Sequence, residues 1–243
     1  MQYAFGTGFL YGFKSGSNPT PVQFGALQDV TVDISFSIKE LFSSKQFPVA
    51  IGRGTGKITG KADFAQFNAQ MFNDLFFGET SVASGRVVTI NGESATISAN
   101  VVNVAHNSSN FAQDLGVVYA ANGTVLTNVS SGPSGAQYTV NANGQYGFNS
   151  SQNNTAVLIS YQYTDSGNGS KIVIANQALG SFPQFSLALS TSFNSKLLTL
   201  NLNSCMSAKL GLSTKLEDFT MPSFDFAAFA DSGGNIGSLS LDE

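Results

Sequence analysis

Polar and apolar residues alternate along most of this chain, and the alternation gives way convincingly to helical spacing at one place. Over 28–38, Val30, Val32, Ile34, Phe36 and Ile38 share one face, while Asp29, Thr31, Asp33, Ser35 and Ser37 share the other. That period of two predicts an amphipathic strand. A second strand is predicted over 55–65, with Ile58, Ala62 and Phe64 against Thr59, Lys61 and Asp63. At Asn68 the rhythm changes, and Met71, Phe72, Leu75 and Phe76 fall at helical spacing between a candidate N-cap, Asn68, and a candidate stop, Gly78. This short helix is expected to plug an otherwise β fold. Late in the chain Phe185, Leu187, Leu189, Thr191 and Phe193 oppose Ser186, Ala188, Ser190 and Ser192. After a turn at Asn194-Ser195, Leu198, Leu200 and Leu202 oppose Thr199, Asn201 and Asn203. The pattern predicts a long hairpin, oily on one face and covered by small uncharged polar groups on the other. The same count puts Cys205 on the polar face.

The stretches between are less regular. Residues 1–20 are rich in Gly, Ser and aromatics and close on Asn18-Pro19-Thr20-Pro21. They predict an extended arm whose Phe5, Phe9, Leu10, Tyr11 and Phe13 dock on a neighbouring subunit or back on their own domain. Residues 39–54 keep no period and contain Pro48, which predicts a long contact loop carrying Leu41, Phe42, Lys45, Phe47 and Arg53. From 81 to 164 short β-type runs at 86–90, 95–105, 115–120, 137–140, 145–148 and 156–163 alternate with turn signals such as Asn91-Gly92, Asn122-Gly123 and Asn143-Gly144. They suggest a β-sandwich-like module followed by a linker at 165–170. Beyond Pro222, alternating Phe224, Phe226 and Phe229 suggest a second arm that docks by its aromatics, before a strand-like 236–241. The expected organisation is an N-terminal arm (1–20), a core in two halves (21–80 and 170–243, with a C-terminal arm from about 222) and an inserted β-rich module (81–169).

Composition narrows the function. Charged residues are 11% of the 243, Phe numbers 21, and the net charge is −4. With no Lys/Arg-rich run, the chain lacks what a phosphate-gripping nucleic-acid binder needs. So little charge amid abundant Ser, Thr, Asn and Gly suits a protein covered by copies of itself, and equally a neutral Asn-rich β protein. The single cysteine excludes an intramolecular disulfide framework. The N-terminus lacks the basic region and long apolar core of a secretory signal, and no run of 18 apolar residues predicts a membrane span. Asn-X-Ser/Thr triplets at Asn107, Asn122, Asn128, Asn149, Asn153 and Asn168 are what such a composition produces by chance.

Candidate chemistry is sparse. The run 52–61, GRGTGKITGK, fails as a phosphate loop: its spacing is short by one, Ile58 stands where a hydroxyl is needed, and it continues as a strand. Its glycines are expected to bend the chain or, at Gly60, to mark a bulge or close packing. His106, the only histidine, sits in a polar loop, and no Gly-x-Ser-x-Gly elbow is present. One Cys and one His exclude a Cys/His zinc site. Asp29, Asp33, Glu217 and Asp218 are scattered carboxylates without a calcium-loop pattern. No catalytic, cofactor or metal residue is expected.

Three stretches together resemble the major tail tube proteins of long-tailed, siphovirus-like bacteriophages: 24–80; 114–126 with 135–148 and 156–164; and 181–241. The resemblance implies a mainly β, tail-tube-type fold of two packed antiparallel sheets with one flanking short α-helix, plus the inserted β-sandwich-like module. It implies a non-enzymatic virion protein, assembled in the bacterial cytoplasm, whose homohexameric rings stack into a tube. DNA would pass through without sequence-specific binding, and other tail proteins, such as the tape measure and tail terminator, would be partners. The loop at 39–54 would reach the next ring, and the arms would brace neighbours through Phe9, Tyr11, Phe13, Phe224, Phe226 and Phe229. A conduit for DNA should not hold it, so Ser186, Ser190, Ser192, Thr199, Asn201 and Asn203 are the candidate lumen face. Lys57 and Lys61 fit that role poorly if their face also lines the bore. The alternative is a capsid-decorating or receptor- or carbohydrate-binding β-sandwich protein of the virion.

Overall fold

The structure, a computed structural model, describes residues 6–16, 18–79, 83–214 and 216–242. It is mainly β, with 59% strand and 6% helix. The chain divides into two compact units, Ala83–Lys171 and the remainder, Met1–Val82 with Ile172–Glu243. In chain order the strands are β1 (Phe9–Lys14), β2 (Pro21–Gln23), β3 (Gly25–Phe42) and β4 (Pro48–Gln66) in the outer unit. The middle unit holds β5 (Ala83–Thr96), β6 (Val101–Asn103), β7 (Phe111–Tyr119), β8 (Thr127–Asn128), β9 (Gln137–Val140), β10 (Gln145–Phe148) and β11 (Ala156–Lys171). The outer unit resumes with β12 (Gln184–Phe193), β13 (Lys196–Gly211), β14 (Ser223–Ala228) and β15 (Gly237–Leu241).

In the outer unit one antiparallel sheet runs β2-β1-β12-β13-β14-β4-β3, with β15 beside the outer part of β13. The two ends of this order are one piece of chain: β2 and β3 flank Phe24, whose N–H donates to the Leu10 carbonyl at 2.9 Å. The sheet therefore curls onto itself, where two separate packed sheets were expected. Inside lie Leu10, Phe24, Phe64, Phe185, Phe224 and Phe226. The predicted helix closes this core with Met71 and Leu75. It runs as α1 (Ala69–Phe72) and then loosens into a π-helical turn, Asn73–Phe77. The Asn68 carboxamide accepts the Met71 N–H at 2.7 Å, and Gly78, at φ 66°, ends the turn by donating to the Asn73 carbonyl. The buried Asn73 side chain accepts from the Glu79 N–H and donates to the Glu79 carbonyl, fixing the exit.

Several expectations are corrected here. The N-terminal arm is, from Phe9 to Lys14, a strand of the curled sheet, and Leu10 is 1% exposed; Phe5 lies outside the described residues. The C-terminal aromatics Phe224 and Phe226 are core residues of β14, not arm contacts, and Phe229 is half-buried with its ring edge-on to Phe182. The loop at 39–54 is strand on both sides: Leu41 and Phe42 end β3, Arg53 lies in β4, and only 43–47, with Lys45 and Phe47, form the tip. Cys205 is buried in the core because the β12–β13 register slips between Phe185↔Cys205 and Leu187↔Leu202. One extra residue in β13 flips the alternation, so Leu202 and Cys205 both face inward. Gly60 is a close-packing point: a Cβ there would lie 2.3 Å from the Phe226 ring and 2.7 Å from the Thr31 carbonyl.

In the middle unit, sheets β5-β11-β7 and β6-β10-β9-β8 share a core of Ile97, Val117, Tyr146, Val157, Ile159 and Tyr161. Strands 137–140 and 145–148 lie where the alternation predicts them. The expected linker at 165–170 is instead part of β11, bulged between Asp165 and Ser170 opposite β5. Hydrogen bonds from Asn168, Arg86 and the Gly167 N–H hold the Asp165 carboxyl below its usual range, outweighing the upward pull of desolvation. The expected Asn91-Gly92 turn is likewise a bulge inside β5, its glycine N–H donating to the Ser160 hydroxyl.

Candidate functional site

Two surfaces of the outer unit carry the candidate residues. The first is the far half of the β3–β4 hairpin. Register places Ile34 and Phe36 on the same side as Val30 and Val32, which pack on the core, and Ile38 and Phe42 continue that side. Ile58, Gly56, Arg53 and Pro48 stand across from Ile34, Phe36, Ile38 and Phe42, and Glu40, on the same side between Ile38 and Phe42, lies opposite Ile51. From Ile34 outward this side is uncovered: Ile38 is 66% exposed, Phe47 at the tip 80%, and Ile34, Phe36, Phe42 and Ile51 are all exposed, while Leu41, exposed as well, belongs to the other side of β3. Over 29–42, β3 pairs only with β4, and β14 covers β4 only from Ile58 to Asp63. Among the described residues the far half is thus a two-stranded ribbon with no third strand and no layer beneath it, an arrangement that is marginal in water by itself. The Arg53 guanidinium lies 3.9 Å over the Phe36 ring. Gly56 makes room for that ring, since a Cβ there would be 2.8 Å from it.

The second surface is the polar side of β1, β12, β13 and β15. Ser190 lies opposite both Phe9 and Thr199, and Thr199 opposite Ser240. Ala188 lies opposite Tyr11 and Asn201, Asn201 opposite Ser238, and Ser186 opposite Phe13. The candidate lumen residues Ser186, Ser190, Thr199 and Asn201 therefore share one face, and Ser192 extends it to its opposite residue, Leu197. Asn203 is diverted at the bulge, where its carboxamide donates to Asp231 at 2.8 Å. The Asn235 N–H and then that carboxamide hold Asp231 below the usual carboxylate range. Sequence reasoning missed that Ser238 and Ser240 widen this face, although the alternation in 237–241 was available as a signal. It also missed that Phe9, Tyr11 and Phe13 border it.

The two lysines fit this picture differently. Lys61 sits 2.7 Å from the Asp63 carboxylate, and its pKa is raised, first by that hydrogen bond and then by Asp63, Asp225 and Asp29 as charges. Its positive charge is balanced locally. Asp225 in turn lies opposite Lys209, and Lys57 opposite Ser35.

Among the described residues no group of three His, Cys, Asp or Glu side chains could hold a metal ion, and no helix is long and apolar enough to cross a membrane. Asp29 lies opposite Asp63 and Asp33 opposite Thr59, while Glu217 and Asp218 belong to the connection between β13 and β14. His106 stacks on Tyr163 with ring centroids 3.7 Å apart. Burial pushes the Cys205 thiol up to about 12. Neither a scan against protein-family models nor a search of curated proteins finds a match to this chain.

Proposed function

We propose that this chain is a virion structural protein, a phage tail tube subunit whose copies close into hexameric rings and stack into a DNA-conducting tube. The observation that carries the reading is the uncovered β3–β4 ribbon. Burying Ile34, Phe36 and Ile38 against other copies would contribute about 1–1.5 kcal/mol per side chain, half the value for full burial because each is already half covered. Pairing the free edges of β3 and β4 with a neighbour's strands would remove the aggregation hazard that such edges present. The Ser/Thr/Asn face of β12, β13 and β15 supports the conduit role, because it offers DNA hydrogen-bonding groups without fixed positive charge. Ring closure requires different surfaces on the two sides of each subunit, and the free edges of the ribbon and of β15 offer two unlike strand borders for such a contact.

Electron microscopy of the purified protein tests the proposal. Annuli or tubes with sixfold symmetry are expected, and a strictly monomeric species at high concentration would contradict it. A protein that stays monomeric yet binds phage capsids or glycans would instead be the decorating or receptor-binding virion protein.

A further inference from the structure

The connection between β13 and β14 is far longer than its geometry requires. Gly211 and Ser223 are directly opposite each other on adjacent antiparallel strands, a pair that a turn of two to five residues closes. The chain spends 212–222 there instead, and the extra length is not used to fill the core. Leu216 is 99% exposed and Phe219 84%, with Leu212 exposed beside them. Phe219 borders a shallow cavity of about 320 Å³ with Asp29, Lys61 and Asp63. Excess length bearing bare apolar side chains is the signature of a segment that docks on something.

Its position points to what that something is. Because β13 and β4 run parallel on either side of β14, 212–222 and the β3–β4 ribbon tip lie at opposite ends of the same sheet. One end carries an apolar knob, and the other an exposed apolar strip, Ile34, Phe36 and Ile38, on which Arg53 lies over the Phe36 ring. The charges are complementary as well. The ribbon half from Asp33 to Lys57 holds four basic residues, Lys39, Lys45, Arg53 and Lys57, against Asp33 and Glu40, whereas 212–222 holds Glu217 and Asp218 against one lysine. A knob at one end and a matching strip at the other make a heterologous, head-to-tail contact, the kind that propagates along an axis when its rotation does not close a ring.

We propose that Leu216 and Phe219 of one copy seat on the apolar side of the β3–β4 ribbon, at Ile34, Phe36 and Ile38, of a copy in the adjoining ring. This rests on the tail-tube reading and names the surface that receives the ribbon. Both knob side chains are exposed in the single chain, so changing them leaves the fold intact while removing the stacking contact.

The test compares wild type with Leu216→Asp/Phe219→Asp by electron microscopy and sedimentation, with circular dichroism as a check on folding. Expected are wild-type tubes, and in the variant rings without tubes at unchanged helix and strand content. A second measurement avoids added charge. Chains carrying Leu216→Cys are mixed with chains carrying Phe36→Cys, assembled and oxidised, with the native Cys205 buried out of reach. A covalent pair is expected in the mixture and in neither chain alone. Variant tubes as abundant as wild type, or assembled mixtures without the covalent pair, overturn this inference and leave the tube reading standing. Wild type that forms neither rings nor tubes overturns both.

Discussion

Of the 21 phenylalanines, only Phe111 and Phe148 lie in the middle unit, whereas five of the seven tyrosines, at 119, 138, 146, 161 and 163, do. Apart from Phe148, the fully buried aromatic rings of the middle unit, Tyr138, Tyr146 and Tyr161, carry hydroxyls, and a buried hydroxyl needs a partner. It supplies partners with carboxylates. Asp114 accepts from Tyr138 at 2.5 Å, from Tyr146 at 2.9 Å and from the Gly116 N–H. Glu93 accepts from Tyr161 at 2.6 Å, and Gln152 donates to Tyr119. The outer unit packs bare rings, with Phe24 edge-on to Phe64 at 5.1 Å and Phe224 tilted beside Phe24 and Phe185. Its apolar face runs on past the core into the ribbon, where Ile34, Phe36 and Ile38 are exposed. The contrast is between a unit that pairs its buried hydroxyls with its own carboxylates and one whose apolar face continues, exposed, beyond its core.

This contrast is tested most severely by cutting into one unit and watching the other. Phe224→Ala should cost the outer unit about 3–5 kcal/mol, by lost burial plus the cavity left behind. Calorimetry should show its transition fall while the middle unit's transition holds, and a common shift would deny that the units are separate. Asp114→Asn should cost the middle unit about 2–3 kcal/mol, because it replaces a charged acceptor of two tyrosine hydroxyls with a neutral one. Denaturant titration followed by tyrosine fluorescence reads that loss.

Alkaline pH should separate the units next. Burial first, and Asp114 second, push the Tyr138 and Tyr146 hydroxyls well above their usual range, and burial with Glu93 raises Tyr161 to about 12. These groups hold their protons more tightly folded than unfolded. Their contribution is complete below the unfolded value near 10 and is lost as pH rises through about 12 and beyond. The middle unit should therefore unfold in that window with a rise in tyrosinate absorbance, and a chain whose outer unit melts first would reverse the expectation. The smallest stability effect belongs to the ribbon. Ile38→Asp should change the melting of the isolated chain by no more than about 0.5 kcal/mol, since the side chain is already in water, yet block assembly.

Much of this was legible in the sequence and some was not, for physical reasons. Alternation located the β12–β13 hairpin and its Asn194-Ser195 turn, where both residues take positive φ. It failed beyond Leu202, since a single inserted residue leaves no compositional mark yet turns Cys205 and Ser204 inward. The helix was readable from its cap and stop, but not its π-helical second half. The 28–38 strand was readable as a strand, and its apolar face suggested burial, because periodicity reports that a face is oily and not what covers it. The same gap hid the ribbon: without a steady period and with Pro48, 39–54 resembled a loop, though β4 accommodates that proline at its first residue. The polar rows on β12 and β13 were visible. Their extension by β15 and their aromatic border from β1 were not, because register across strands distant in sequence is written in no single stretch.

The central claim is that the far half of the β3–β4 ribbon is incomplete in one chain and is completed by other copies. Amide hydrogen exchange on the isolated chain and on its assembled form measures this directly. The account predicts that amides of 34–57 exchange far faster than those of β12 and β13 in the isolated chain, and become at least a hundredfold more protected on assembly, on the order of 3 kcal/mol. Equal protection of the ribbon in both forms would contradict it.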